Sequence, residues 1–308
     1  MENALIILRQ TGVMLLYLLL GFILYRTKLV TKEGSRSISG MLIYAILPCM
    51  IIHSFCLART PERTQALLVA SAAGVGSLIL AVALGRLLFP KRPLAAFAAM
   101  FDNAGFMALP IITAVLGPGS AFYLAPMIAL LNCLQFTYGQ VLLTGSRRAM
   151  RPAAIVKSPL VISFAAGLVL YAAGVGDRVP PLLGETLSTL SGLTGPLAMI
   201  LLGVYLGQMP LATLVTDTLA WRVTGARLLL IPAVTVFAFL LIPAAWREIA
   251  LAVMIGSAAP VGVNIAIYAQ KLDSDYLFAC RTVCQSTLVA VAAMPLMILF
   301  AEWVWAVL

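Results

Sequence analysis

Charged side chains are scarce in this sequence. They make up 10% of its 308 residues, with 11 acidic residues and a single histidine. Water-soluble domains carry about a quarter charged residues, so this composition excludes a conventional soluble enzyme, and its low polarity excludes a disordered chain. The 20 basic residues are spread between long apolar runs and do not form one patch, which excludes a nucleic-acid-binding protein.

Thiol and imidazole groups are also few. The five cysteines are odd in number, lie within apolar runs and have no zinc-type spacing with the only histidine, His53. These features exclude a disulfide framework and give no indication of a structural metal or another cofactor. The cysteines are therefore predicted to be small packing residues.

Hydrophobic residues, by contrast, make up 62% of the chain, and its mean hydropathy is +1.06. A transmembrane helix needs about 20 apolar residues, and charge, Gly and Pro divide the chain into ten such stretches. The sequence therefore predicts an all-α, multi-pass integral protein of the cell (inner) membrane. The predicted spans are 4–25, 38–57, 64–89, 93–116, 120–144, 159–175, 183–208, 219–243, 247–270 and 276–301. Only an uncharged turn at 117–120 separates the fourth span from the fifth, so nine is the alternative count.

The distribution of basic residues predicts the orientation in the bilayer. Placing the loop after the first span in the cytoplasm puts 15 of the 20 basic residues inside, and this excess predicts that both termini are extracytoplasmic. The inside set is Arg26, Lys28, Lys32, Arg36, Arg86, Lys91, Arg92, Arg147, Arg148, Arg151, Lys157, Arg222, Arg227, Lys271 and Arg281.

The two halves of the chain, 1–145 and 152–308, repeat the same order of features. Each has five predicted spans, with a proline in the second (Pro48 and Pro196) and a helix interrupted by Gly, Pro or Asn as the fourth. Because five is odd, the second half would enter the bilayer with opposite polarity. Inverted repeats of this kind build secondary transporters.

The interrupted helices point to a site at the membrane midplane. Pro110 and Pro260 each remove a backbone donor, and unpaired backbone groups at this depth are tolerated only where they line a cavity. Asp102 lies about ten residues, roughly 15 Å, from the inner boundary at Arg92, which is the midplane. Two half-helices with their positive ends at one site would suit an anion. Ordinary kinks are the alternative.

Several short motifs resemble the auxin efflux carrier (PIN-like) family of membrane transporters. The similarity covers essentially the whole chain, although each motif alone is weak. The motifs are Asn103-x6-Pro110-x6-Gly117 with Gly105-Phe106 inside it, Leu47-Pro48-x4-His53-Ser-Phe, Pro260-x3-Asn264, Ser286-Thr287 and Met294-Pro295. Ala108, where Gly is common, and the acid at Asp102 depart from the family pattern and leave substrate and coupling ion open.

The resemblance implies a fold and a substrate class. The fold is that of bile acid:sodium symporters, with ten helices in two inverted five-helix repeats and a crossing of the broken fourth and ninth helices. The substrates would be carboxylates such as malate, malonate or auxin-like acids. The resemblance places the substrate site on Asn103, Pro110, Pro260 and Asn264.

Other polar residues in the spans each have more than one interpretation. Asp102 is expensive at a helix centre, so it is predicted to titrate a proton, to pair or cap structurally, or to bind sodium. His53 can titrate near neutral pH but also suits a wet interface. Asn132 and Ser286 are candidate substrate contacts, and with Gln135 and Gln285 they are equally candidate hydrogen-bond partners between helices.

Two further predictions concern packing and charge. Gly203-x3-Gly207 and Gly74-Val-Gly76 are predicted to allow close helix packing. Arg281 is predicted to snorkel inward or to pair with Asp273 or Asp275, with a role in the cavity as the alternative.

The sequence favours a transporter driven by an ion gradient. It contains no Walker phosphate loop for ATP and no His-Glu-x-x-His, paired-aspartate or Gly-x-Ser-x-Gly motif for an intramembrane enzyme. Proton coupling is the first expectation and sodium coupling the alternative. A channel and a transporter-like sensor are the other classes, and a homodimer is possible.

Overall fold

The computed structural model describes residues 2–146, 148, 153, 157–272 and 274–308. Helices form almost all of this part of the chain, and its only β pairing is one antiparallel bridge between Asp102 and Val261. The predictions for Arg147, Arg151 and Asp273 lie outside the described residues. The predicted all-α class is confirmed.

We number the main helices α1 to α12 in chain order. They are α1 Glu2–Arg26, α2 Lys32–Ser54, α3 Pro61–Leu88, α4 Pro93–Met100, α5 Ala104–Leu116, α6 Ala121–Thr144, α7 Pro159–Ala172, α8 Pro181–Gly207, α9 Thr218–Leu241, α10 Arg247–Ser257, α11 Asn264–Lys271 and α12 Tyr276–Val307. Within the described ranges, seven of them (α1, α2, α3, α6, α8, α9 and α12) are long and apolar enough to cross a membrane. The protein is therefore a polytopic helical membrane protein.

Prolines shape three of these helices in the same way. A π-helical turn of five residues ends two residues before Pro48 in α2, before Pro110 in α5 and before Pro232 in α9. Proline lacks an N–H, so a carbonyl in the preceding turn has lost its usual partner, and a wider turn lets it bond a later amide. The turn in α9, Ala226–Leu230, carries Arg227.

Glycines bring α1 and α8 into close contact. A Cβ at Gly203 would lie 1.9 Å from the carbonyl oxygen of Leu18, and one at Gly207 would lie 2.7 Å from the Tyr25 ring. No atom of the described residues lies within 4 Å of the Cβ position of Gly76. The predicted packing role is therefore confirmed for Gly203-x3-Gly207 and for Gly74, whose Cβ would lie 3.0 Å from the Cβ of Met127 on α6, and it is wrong for Gly76.

Two short helices, α4 and α10, are almost entirely buried. In α4 every residue from Ala95 to Met100 is buried, and in α10 every residue from Ile249 to Ser257 is buried. Both end inside the molecule, and their continuations, α5 and α11, begin a few residues later. The two helix breaks therefore meet within the core.

Candidate functional site

The breaks in the two helices satisfy each other's backbone. The N–H of Asn103 donates to the carbonyl of Pro260 over 2.8 Å, and the N–H of Gly262 donates to the carbonyl of Phe101 over 3.0 Å. The N–H of Val261 donates to the hydroxyl of Ser286 on α12 over 3.1 Å. These bonds pair backbone groups that the breaks leave without helical partners. Specific hydrogen bonds therefore stabilise the two breaks, and they are not simple kinks.

Gly262 is required because the two non-helical segments at the breaks lie very close together. A Cβ there would lie 2.6 Å from the carbonyl oxygen of Asp102, a distance that no side chain tolerates without moving the backbone. The glycine therefore permits the bridge between Asp102 and Val261.

The N-terminal ends of α5 and α11 line one cavity of about 160 Å³. The first residues of α5 and α11 form part of its wall. The other wall residues come from α2, α6, α7 and a later turn of α11. The lining residues are Ile43, Tyr44, Leu47, Asp102, Asn103, Ala104, Gly105, Phe106, Ile128, Leu131, Asn132, Ser158, Pro159, Leu160, Gly262, Val263, Asn264 and Tyr268. The first amides of a helix carry a partial positive charge, so two such ends at one cavity favour an anion.

Three asparagines line this cavity, and their amides differ in how they are satisfied. The Nδ2 of Asn103 is buried and has no hydrogen-bond partner in the described part of the protein. Asn264 donates from Nδ2 to the Oε1 of Gln135 over 2.7 Å. Asn132 donates to the carbonyl of Ile128 one turn earlier in α6, over 2.8 Å. A buried donor without a partner is costly, and Asn103 therefore has a donor available for a ligand.

Asp102 is buried at the edge of the cavity, with 3% of its surface exposed. Its Oδ1 accepts a hydrogen bond from the N–H of Ala104 over 3.0 Å, so it caps the start of α5. Its Oδ2 lies 4.0 Å from Nη2 of Arg227, and both side chains are almost completely buried. The capping and pairing that the sequence allowed for Asp102 are thus present.

Arg227 is the residue that the sequence analysis missed. The sequence counts it only among the basic residues on the cytoplasmic side, whereas its side chain is 0% exposed and lies between helices. Its Nη1 donates to the carbonyls of Ala99 (3.2 Å) and Met100 (3.4 Å), and its Nη2 donates to the carbonyl of Ser257. One guanidinium therefore caps the C-terminal ends of both α4 and α10.

The remaining predicted site residues lie elsewhere. Pro110 and His53 line a second cavity of about 540 Å³ between α1, α2, α5 and α8, and they do not line the first. Pro260 is buried in the bridge and contributes its carbonyl, while Ser286 is fully buried behind it. The fold thus brings Asp102, Asn103, Asn132 and Asn264 to one cavity and separates Pro110 and His53 from them.

The prediction of hydrogen bonds between helices is confirmed for Gln135 and Gln285, whereas Asn132 bonds only within α6. Gln135 bonds Asn264 on α11, and Gln285 on α12 accepts from Thr224 on α9 over 3.2 Å and donates to the carbonyl of Leu214 over 2.8 Å.

Arg281 has a different partner from those predicted. It pairs with Asp217, which also accepts hydrogen bonds from the amides of Leu219 and Ala220 at the start of α9. Asp275 caps α12 through the N–H of Phe278. Burial alone would raise the pKa of Asp217, but the hydrogen bonds from Ala220 and Arg281 outweigh it and lower that pKa below its usual value. The sequence could not indicate this pair because its members are far apart in the chain.

A cavity faced by two half-helix ends, inside a polytopic helical protein, is typical of membrane transport proteins. The chain matches the family model described as membrane transport protein over residues 11–298, and it belongs to this family, that of the auxin efflux carriers and PIN-like transporters. The resemblance predicted from the sequence motifs is confirmed. It is a family of transporters and not of enzymes. No curated protein matches the chain.

Proposed function

We propose that this protein is a secondary active transporter that moves small organic anions across the membrane by alternating access, coupled to protons. The observation that carries the proposal is the Nδ2 of Asn103, which has no partner among the described residues and lies beside the first amides of α5 and α11 at one cavity. A substrate carboxylate would accept from this amide and lie at both positive helix ends.

The size of the cavity narrows the substrate class. Its volume of about 160 Å³ is close to the roughly 150 Å³ of an engineered cavity that accepts benzene. It therefore suits acids of the size of malonate or malate better than a larger auxin-like acid. Apolar walls from Leu47, Ile128 and Leu160 would contact the carbon skeleton.

The proposed topology has ten transmembrane helices in two inverted five-helix repeats. Its fourth member is α4 with α5, its ninth is α10 with α11, and these broken helices cross at the bridge between Asp102 and Val261. Support comes from the helix bounds, since each of the ten apolar stretches contains helix. Both termini would be extracytoplasmic because of the basic excess on the other side.

Proton coupling is favoured over sodium coupling because the backbone carbonyls at the ends of α4 and α10 already accept hydrogen bonds. In broken-helix transporters sodium binds to unwound carbonyls and to half-helix C-terminal ends. Here the carbonyls of Ala99, Met100 and Ser257 accept hydrogen bonds from Arg227. Asp102, which is buried at the cavity edge, is the group that would carry the proton.

Uptake into proteoliposomes tests the proposal. Labelled mono- and dicarboxylates, malonate and malate among them, are offered with pH and sodium gradients imposed separately. We expect uptake of a small acid on a pH gradient, loss of uptake in Asn103→Ala, and a smaller effect of Asn132→Ala, whose amide is already satisfied within α6. Uptake of no acid by correctly folded protein, or full uptake by Asn103→Ala, would contradict the proposal.

A further inference from the structure

Arg227 lies outside the cavity lining yet contacts both helices that form the site. Its guanidinium reaches the C-terminal carbonyls of α4 through Ala99 and Met100, and that of α10 through Ser257. These helices belong to opposite halves of the chain, and α9 supplies the side chain between them. A planar fork of donors can bridge two helix ends in this way, whereas an ammonium group is a single point charge.

The carbonyl groups and the carboxylate that surround the guanidinium of Arg227 carry partial or full negative charge. A helix C-terminus carries the equivalent of roughly half a negative charge, and two such ends converge on the guanidinium. The carboxylate of Asp102 lies 4.0 Å away. The carboxylate of Asp102 also accepts a hydrogen bond from the N–H of Ala104, and its backbone pairs with Val261.

This negative charge matters because Asp102 also lines the cavity. An anion that enters the cavity is attracted by the amide ends of α5 and α11 and repelled by Asp102. With both side chains almost fully buried, water screens these interactions only weakly. The balance between attraction and repulsion therefore depends on whether a positive charge accompanies Asp102.

We propose that Arg227 is a positioning residue of the carboxylate site, which fixes the two helix ends against each other and cancels the charge of Asp102 beside the cavity. The charge part of this inference rests on the proposed function. Removing the guanidinium should loosen both breaks and lower the affinity for an anion. Removing the carboxylate as well should restore much of that affinity, because no uncompensated negative charge would then remain.

The first test needs no substrate. Hydrogen–deuterium exchange of the purified wild type and Arg227→Gln compares the backbone amides of residues 101–104, 258–259 and 261–264. We expect exchange at least tenfold faster at both breaks in the variant. Arg222→Gln is the matched control, since Arg222 is an exposed arginine on the same helix, and it should leave exchange unchanged. Unchanged exchange in Arg227→Gln would overturn the clamping role.

The second test measures affinity for malonate by titration calorimetry. Arg227→Gln should bind at least tenfold more weakly than the wild type, Arg227→Lys should fall between the two, and Asp102→Asn/Arg227→Gln should recover most of the loss. The double variant also retains no unpaired buried charge, so it remains informative if Arg227→Gln does not fold.

The two tests separate the possible failures. Wild-type affinity in Arg227→Gln, or a double variant as weak as Arg227→Gln, would overturn the charge role. If the wild type binds no malonate while the exchange result holds, the carboxylate proposal fails and the clamp of the two helix ends stands.

Discussion

Asn264 at the start of α11 donates a hydrogen bond to the side-chain oxygen of Gln135 on α6, over 2.7 Å. Gln135 is 1% exposed, and its own Nε2 has no partner in the described part of the protein. This contact fixes the amide of Asn264 at the edge of the cavity. Gln135 does not line the cavity, but through this contact it positions a side chain that is proposed to bind the anion.

Gln135→Leu should weaken carboxylate binding about tenfold while costing little stability, because it removes the orienting acceptor and also a buried unpaired donor. Malonate affinity and thermal unfolding of the purified variant check this. Gln285→Leu is the control. It breaks interhelical bonds to Thr224 and Leu214 away from the cavity and should lower stability with affinity unchanged. The opposite pattern in the two variants would be inconsistent with a site at Asn264.

Asp102→Asn should retain exchange of substrate across the membrane and lose accumulation driven by a pH gradient. The amide mimics a protonated carboxyl with little change in volume, and it leaves the charge of Arg227 uncompensated, so it should also bind malonate more tightly. Counterflow and pH-driven uptake into the same proteoliposomes measure the two activities. Full accumulation on a pH gradient would assign Asp102 a structural role and move the search for coupling to His53.

Gly203→Ala should destabilise the protein by about 1–3 kcal/mol, since its new methyl group would overlap the carbonyl oxygen of Leu18. Gly76→Ala should be neutral or stabilising by up to about 1 kcal/mol, because its Cβ would meet no atom of the described residues within 4 Å and alanine favours a helix. Midpoints of thermal unfolding in one detergent compare the two. Equal destabilisation would mean that contact between α1 and α8 does not determine the effect.

The pair between Arg281 and Asp217 should stabilise the protein in a pH-dependent way. Because the folded-state pKa of Asp217 is lowered, its contribution is complete above the unfolded pKa of about 3.9 and is lost as the pH falls through the folded value. Asp217→Asn keeps a capping side chain, so it should cost at most about 1 kcal/mol at pH 7. The difference in unfolding midpoint should shrink below about pH 4.

A double-mutant cycle with Arg281→Gln assigns that effect to the pair. Arg281→Gln in the Asp217→Asn background should have little further effect. A difference that stays constant from pH 7 to below pH 4 would show that the negative charge of Asp217 is not responsible.

Single cysteines test the proposed topology. In a background without the five native cysteines, Ser146→Cys should react only with a reagent supplied from the cytoplasm, and Gly119→Cys only from outside. Both positions are exposed, and they lie at opposite ends of α6. Labelling of both from one side would contradict the ten-helix count.

Composition was sufficient to predict a helical membrane protein, because long apolar helices need no tertiary information to be recognised. Proline, glycine and asparagine also indicated the region of both breaks. The prolines did not give the exact position of the first break. Pro110 lies within α5, after a π-helical turn, and the chain leaves helical geometry earlier, at Phe101. Because Pro110 lies within α5 and away from the break, it lines a different cavity from Asn103.

The partners of charged residues could not be predicted. Arg227 and Arg222 occupy the same helix and have the same charge, and only the packing of α9 against α4 and α10 decides that one is buried and the other exposed. Arg281 was assigned partners near it in sequence, whereas its observed partner, Asp217, lies in the loop before α9. Hydropathy and spacing contain no information on such distant pairs.

The backbone pairing between Phe101 and Gly262 also imposes an order on biogenesis. Until α10 and α11 have been synthesised and inserted, the carbonyl of Phe101 and the N–H of Asn103 have no partners, because Gly262 and Pro260 do not yet exist. Neither half of the nascent chain contains all the residues that line the cavity, and pairing of such distant segments is slow. The break in the first half therefore stays unpaired until Pro260 and Gly262 are in place, and their synthesis sets the earliest moment at which the cavity can form.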